Sequence, residues 1–163
     1  MRSLLNIADV HLADRSRADD SCEEGFRWAV ETGLTLYQPE TLGLLGDFVD
    51  GYLASWATII ERHLLLLRWL DRLVTQARVR ILLLRGNHEN GPIEKLLADL
   101  RLAMPNCEMV GWDGIYGLTQ EQEAISLGWA LCHGHQFDPW CHGPQSVLSE
   151  LGAVVTGLIE RIV

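Results

Sequence analysis

The chain has 163 residues, of which 48% are hydrophobic and 21% charged, and its formal net charge is −9 at pH 7. This length and composition support one globular domain with a sizeable core, so we expect a single domain over residues 1–163. The acidic balance argues against a general nucleic-acid-binding protein, because phosphate contacts need clustered Lys and Arg.

The sequence indicates neither a secretory leader nor a membrane span. Its apolar start meets Asn6 and Asp9 too early for a signal-peptide core, and no run reaches about 18 uncharged apolar residues. The four cysteines show no C-x-x-C spacing, which predicts free thiols in a reducing compartment rather than a disulfide framework. We therefore expect a cytoplasmic protein.

The first two thirds of the chain alternate between short apolar runs and segments with helical periodicity. Strands are predicted at the apolar runs, and helices where apolar residues recur every three or four positions. Such alternation predicts a parallel sheet with helices packed against it. The expected order is strand 4–8, helix 23–37, strand 41–45, helix 56–74, strand 79–84 and helix 92–102, the last opened by Pro92.

The remaining third has a different pattern. Segments 108–112, 115–118 and 124–132 are short apolar runs separated by glycines, which predicts partly antiparallel strands that form a second sheet or extend the first. A final helix is predicted over 147–162, with Ser146 as its N-cap. This helix is apolar over more than one face, so it needs cover from further residues or from a partner subunit. We therefore expect a truncated chain, a homo-oligomer or a partner bound through this helix.

Four polar motifs directly follow four of the predicted strands. Because residues i and i+2 of a strand point the same way, Asp9 and His11 can reach one metal ion together, and this pair suits Mn, Fe or Zn. Gly46 permits a tight turn that directs Asp47 into a cleft, where a carboxylate can bridge two cations about 3.5–4 Å apart. The motifs are Asp9-Val10-His11, Gly46-Asp47-Phe48-Val49-Asp50, Gly86-Asn87-His88-Glu89 and His133-Gly134-His135.

The order of these motifs resembles that of the calcineurin-like metallophosphoesterases over residues 3 to about 138. The third motif is the most specific of the four. The resemblance implies a four-layer α/β sandwich with two mixed sheets and a dinuclear metal site at the sheet edge. It also implies the metal ligands, which are Asp9 and His11 on the first ion, Asp47 on both, and Asn87 and His133 on the second.

The resemblance further implies the chemistry of the site. His88 would donate a hydrogen bond or a proton to the ester oxygens, with Asp50 as the carboxylate partner of its far ring nitrogen. Two divalent ions, expected to be Mn with Fe, Zn or Mg as alternatives, would turn a bridging water into the attacking hydroxide. The implied function is a metal-dependent phosphoesterase whose substrate is a phosphomonoester or a small phosphodiester.

One motif of this family, a late G-H-x-H pair that completes both metal shells, is not found. The apolar run 127–132 before His133 is typical of the fourth motif rather than of this last one. Three explanations stay open: a chain that lacks the last strands, a site that fills the gaps with water or other histidines, or a non-catalytic binding or assembly module on the same fold. The candidates for substitute ligands or substrate contacts are His135, His142 and Arg15.

Three other residues either have expected structural roles or argue against one subgroup of the superfamily. His63 lies among leucines, which favours a core histidine over a ligand. Arg85 precedes the third motif, and a structural ion pair is expected there rather than a substrate contact. Gly51 stands where the protein serine/threonine phosphatases of the superfamily carry a phosphate-binding Arg, which argues against that subgroup.

Overall fold

The computed structural model describes residues 4–15, 22–113 and 131–133. In this part of the chain, four strands form one sheet in the order β1-β2-β3-β4, and each neighbouring pair is parallel. The α/β class predicted from the alternating pattern is therefore confirmed. The elements are β1 (Leu4–Ile7), α1 (Glu23–Tyr37), β2 (Thr41–Leu45), α2 (Trp56–Arg62), α3 (Leu64–Ala77), β3 (Arg80–Leu84), α4 (Ile93–Ala103) and β4 (Met109–Trp112).

The sheet carries buried apolar side chains on both faces. Neighbouring side chains along a strand point to opposite sides of a sheet. Leu42 and Leu83 are buried in the main core together with side chains of α1, α3 and α4. Leu82 is buried in a second cluster, against which Leu131 packs. A strand segment covered on both sides is expected to be apolar, which explains the apolar run 81–84 of β3.

The helix predicted over 56–74 is wrong as a single element, because the structure has two helices that meet at His63. The His63 ring is buried, as expected of a core histidine. Its Nε2 donates to the carbonyl oxygen of Ala13 at 2.9 Å, and its Nδ1 lies 2.7 Å from Oε1 of Glu23. Periodicity could not reveal the break, since these partners lie 50 and 40 residues away in the chain.

For segment 108–112 the structure selects one of the two predicted arrangements. β4 extends the first sheet and pairs with β3 in parallel. The strand predicted over 115–118, most of that over 124–132 and the final helix over 147–162 lie outside the described residues. None of the helices described is both long and apolar enough to cross a bilayer.

Candidate metal centre

The loops that follow β1 and β2 run side by side beyond the end of the sheet. The His11 N–H donates to the carbonyl of Asp47 at 2.8 Å. One residue further, the Leu12 N–H donates to the carbonyl oxygen of Phe48 at 3.0 Å. The Asp50 N–H donates in turn to the carbonyl oxygen of Leu12 at 2.8 Å. The first two motifs are therefore paired by backbone hydrogen bonds at the carboxyl edge of the parallel sheet, where ligand sites of such sheets form.

Two glycines leave the space in which these loops meet the other motifs. A Cβ on Gly86 would lie 2.5 Å from the backbone nitrogen of Asp47, closer than real Cβ atoms come. A Cβ on Gly46 would lie 2.5 Å from Cγ of His133, and Gly46 also has a φ of 87°. Both positions therefore need glycine for the motifs to approach one another.

Three predicted metal ligands have left-handed backbone conformations. The φ angles are 56° at Asp9, 50° at His11 and 50° at Asp47. Non-glycine residues seldom adopt this region, although Asp and His are enriched among those that do. Each such residue costs on the order of 1–3 kcal/mol and persists only where its surroundings hold it. The ligand loops are thus held in conformations that an isolated chain would not favour.

The Asp47 carboxylate lies between imidazoles from two other motifs. Its Oδ2 is 3.1 Å from Nε2 of His133 and 3.8 Å from Nε2 of His11. The Asp9 carboxylate oxygen lies 4.0 Å from the same His11 nitrogen. Asp47 is 3% exposed, whereas the Asp9 side chain is 62% exposed. The site therefore has a buried centre and an open side at Asp9.

The orientation of the His133 ring is set by a backbone contact. Its Nδ1–H donates to the carbonyl oxygen of Leu45 at 2.8 Å, which leaves Nε2 facing Asp47. Burial would lower the pKa of His133, but the hydrogen bond and the negative charge of Asp47 raise it to about 9. Burial would raise the pKa of Asp47, but the hydrogen bond and the charge of His133 hold it below its usual range. Without a metal, the two side chains therefore form an ion pair at this position.

His88 and Asp50 form the second hydrogen-bonded pair of the site. Nδ1 of His88 lies 2.8 Å from Oδ2 of Asp50, while Oδ1 of Asp50 accepts from the backbone N–H groups of Tyr52 and Leu53. Burial would lower the pKa of His88, but the bond to Asp50 and the nearby carboxylate charges raise it. The His88 ring stands edge-on to that of His11, with ring centroids 4.8 Å apart. The predicted partnership of His88 with Asp50 is therefore present in the geometry.

The donor atoms of these side chains fit divalent cations. They form two groups, in each of which the candidate ligand atoms lie within 4.8 Å of one another. Carboxylates and imidazoles together suit Mn, Fe and Zn. Asp47 also approaches His11, so it lies at the junction of the two groups. The groups are Asp9, Asp47 and His133, and His11, Asp50 and His88.

The remaining predicted site residues are Asn87, Arg15, His135 and His142. Asn87 is half-buried between Gly86 and His88, and its role as a ligand stays a prediction. Arg15 forms an ion pair with Glu23 of α1. His135 and His142 lie outside the described residues.

Arg85 has the structural ion pair expected of it. Its guanidinium lies 3.2 Å from Oδ2 of Asp113, and its Nε donates to the carbonyl of Glu89. The side chain is buried. Arg85 therefore supports the loop after β3 through these contacts.

Sequence reasoning gave Glu89 no role, yet it has the most hydrogen-bonded carboxylate described at the site. Its two oxygens accept four backbone N–H groups, and the residue is 1% exposed. Burial and the charge of Asp47 raise the pKa of Glu89 to about 7, although the backbone hydrogen bonds lower it. The only sequence signal was its place in the most specific motif, because its partners are backbone groups, three of them on another loop.

The comparison with known families agrees with this geometry. The model of the calcineurin-like phosphoesterases matches residues 3–154, and the chain belongs to this family. The resemblance drawn from the four motifs is thereby confirmed. No curated protein and no solved structure matches the chain. Family membership supports hydrolysis of phosphate esters as the general class of reaction.

Proposed function

We propose that the protein is a metal-dependent phosphoesterase that hydrolyses a phosphomonoester or a small phosphodiester. The position of Asp47 carries this proposal: its Oδ2 lies 3.1 Å from one imidazole nitrogen and 3.8 Å from another. A buried carboxylate between imidazoles of different motifs is suited to be the shared ligand of two cations. Family membership supports the same class of reaction.

The chain would supply its metal ligands from four loops. Following the family resemblance, Asp9 and His11 would hold one ion, Asn87 and His133 the other, and Asp47 both. The side-chain donor atoms group differently, with Asp9 and His133 beside Asp47 and with His11 beside Asp50 and His88. When bound, the two ions would supply Lewis acidity and an activated water as nucleophile. Among the described residues at this edge, carboxylates outnumber cationic side chains. The two arginines nearby are already in ion pairs, Arg15 with Glu23 and Arg85 with Asp113. That excess of negative charge favours divalent cations in the site.

His88 is the residue of this chain that we assign to the substrate. Because its Nδ1 is bonded to Asp50, Nε2 is the ring nitrogen that a substrate can meet. The carboxylate raises the proton affinity of the ring, so the imidazole can donate a hydrogen bond or a proton to an ester oxygen. Asp50 itself is a positioning residue, since its oxygens are bonded to His88 and to two backbone N–H groups.

The experiment that tests the proposal measures hydrolysis of p-nitrophenyl phosphate and of its bis ester by metal-stripped protein, with and without Mn²⁺. Asp47→Asn keeps the shape of the side chain and removes the shared charge, so Mn²⁺-dependent release of nitrophenol should vanish. Asp99→Asn on α4 makes the same chemical change outside the site and should leave release unchanged.

Two results would count against the proposal. Release by Asp47→Asn at the wild-type rate would mean that Asp47 is not the shared ligand. Folded wild-type protein that binds a single ion weakly and releases no nitrophenol would favour the non-catalytic binding or assembly module. The cytoplasmic location, the preference for Mn²⁺ over Fe, Zn or Mg, and association through the final helix stay predictions from the sequence.

A further inference from the structure

The carboxylate of Glu89 collects backbone N–H groups from two ligand loops. Its Oε2 accepts from Asp47 at 2.9 Å and from Gly86 at 2.6 Å. Its Oε1 accepts from Phe48 at 2.6 Å and from Val49 at 3.1 Å. The ionised carboxylate is acceptor-only, so it can satisfy all four donors at once.

The three donors of the second motif are consecutive residues. Along an extended strand, neighbouring N–H groups point in opposite directions, so they cannot converge on one acceptor. A left-handed residue in the run lets the N–H groups converge, which makes a concave nest for an anion. Asp47, with its φ of 50°, is that residue. The anion of Glu89 therefore stabilises the conformation that directs the Asp47 side chain.

The fourth donor connects this nest to the third motif. Gly86 begins the motif that carries Asn87 and His88, and its N–H shares Oε2 of Glu89 with the Asp47 N–H. In the opposite direction, the His88 N–H donates to Oδ1 of Asp47 at 2.9 Å. One buried carboxylate thus sets the position of the second motif relative to the third.

We propose that Glu89 is a positioning residue of the metal centre, which holds Asp47 in its left-handed conformation and binds no metal ion itself. Its oxygens are already occupied by four N–H groups and shielded from solvent. The clamp on the backbone stands independently of any metal, whereas its effect on metal affinity rests on the proposed function.

The first arm of the test uses the metal-free full chain and amide hydrogen exchange measured by NMR. Glu89→Gln keeps the size of the side chain but turns an NH₂ donor towards some of the N–H groups. The amides of Asp47, Phe48, Val49 and Gly86 should exchange at least about tenfold faster, as expected when hydrogen bonds of ordinary strength are lost. The matched control Glu31→Gln, an exposed position on α1, should leave them unchanged.

The second arm measures Mn²⁺ binding by calorimetry and by electron paramagnetic resonance. Two Mn²⁺ ions that share a carboxylate are exchange-coupled, whereas isolated ions give a six-line spectrum. Glu89→Gln should weaken Mn²⁺ binding about 10–100-fold, the usual effect of losing a residue that orients a ligand, and should convert the coupled signal towards the six-line one. Glu89→Asp keeps the charge on a shorter side chain, so its affinity should lie between those of wild type and Glu89→Gln.

The outcomes separate this inference from the proposed function. Wild-type amide exchange in folded Glu89→Gln would overturn the clamp. Faster amide exchange with unchanged Mn²⁺ affinity and coupling would overturn the positioning role. If Glu89→Gln does not fold, Glu89→Asp replaces it in both arms, and wild-type values there would again overturn the inference. A wild-type chain that binds none of Mn²⁺, Zn²⁺ and Mg²⁺ would refute the proposed function, and amide exchange would then decide the clamp alone.

Discussion

Gly86→Ala tests whether the close approach of two loops creates the metal centre. The added Cβ would lie 2.5 Å from the backbone nitrogen of Asp47 and 2.9 Å from its Cγ, whereas ordinary contact begins at 3.4 Å. Gly86 is not among the residues with positive φ, so alanine can adopt its backbone conformation. Gly86→Ala therefore acts only by filling the space between the second and third motifs.

The size of the effect follows from the missing space. Asp47 must retreat by about 1 Å, and misplacement of a reacting group by that distance costs about 10²-fold in rate. Because Asp47 is assigned to both ions, binding of both should weaken together. The overpacked loop should also lower the free energy of unfolding by about 1–3 kcal/mol, which leaves room for a folded protein to be measured.

The assay combines calorimetric titration with Mn²⁺, hydrolysis of p-nitrophenyl phosphate and circular dichroism of the same samples. Gly25→Ala on α1 is the control, since its Cβ meets only the flexible Cys22 side chain. Gly25 lies in the first turn of α1, so alanine there should leave both the fold and Mn²⁺ binding unchanged. Folded Gly86→Ala that binds two ions with wild-type affinity would refute the assignment of Asp47 as the shared ligand.

Two further predictions concern the histidines. His88→Ala should keep its metal content while turnover falls about 10²–10⁴-fold, as for a lost proton donor, and loss of metal in elemental analysis would instead make His88 a ligand. The pKa of His133, about 9, lies above its ordinary value of 6.5, so the stabilisation from its ion pair with Asp47 is complete below pH 6.5 and is lost as the pH rises through 9. Mn²⁺ must displace that proton, so affinity should rise up to about tenfold per pH unit towards pH 9. Calorimetry in two buffers of different ionisation enthalpy measures the proton, and binding at pH 7 without proton release would contradict this ligand assignment.

The hydrogen bonds of the buried carboxylates explain why the fold tolerates an acidic site for cations. Asp47, Asp50 and Glu89 are almost fully buried, and each is hydrogen-bonded to backbone N–H groups or to an imidazole. Buried carboxylates are tolerated only when they are satisfied in this way. The loops therefore keep an acidic centre ready, although metal ions would neutralise it further.

Much of the fold was predictable because its signals are local. The strands and helices up to α4 follow the hydrophobic period, and five of the seven lie within two residues of their predicted bounds. The break at His63 was missed because Ala13 and Glu23, whose contacts hold the ring, lie far away in the chain. The sequence left the arrangement of β4 open for the same reason, since glycine-rich spacing does not specify a partner strand.

By itself, the sequence determined the family, the candidate ligands and the edge of the sheet where they gather, because motif order and the ends of parallel strands are local properties. Only the tertiary structure showed that Asp47 is left-handed, that Gly86 leaves the space for it, and that Glu89 accepts its backbone N–H group. Those facts depend on backbone N–H groups and steric distances between loops about 40 residues apart. A pattern of residue types carries no record of such contacts, because any residue can present the same N–H group.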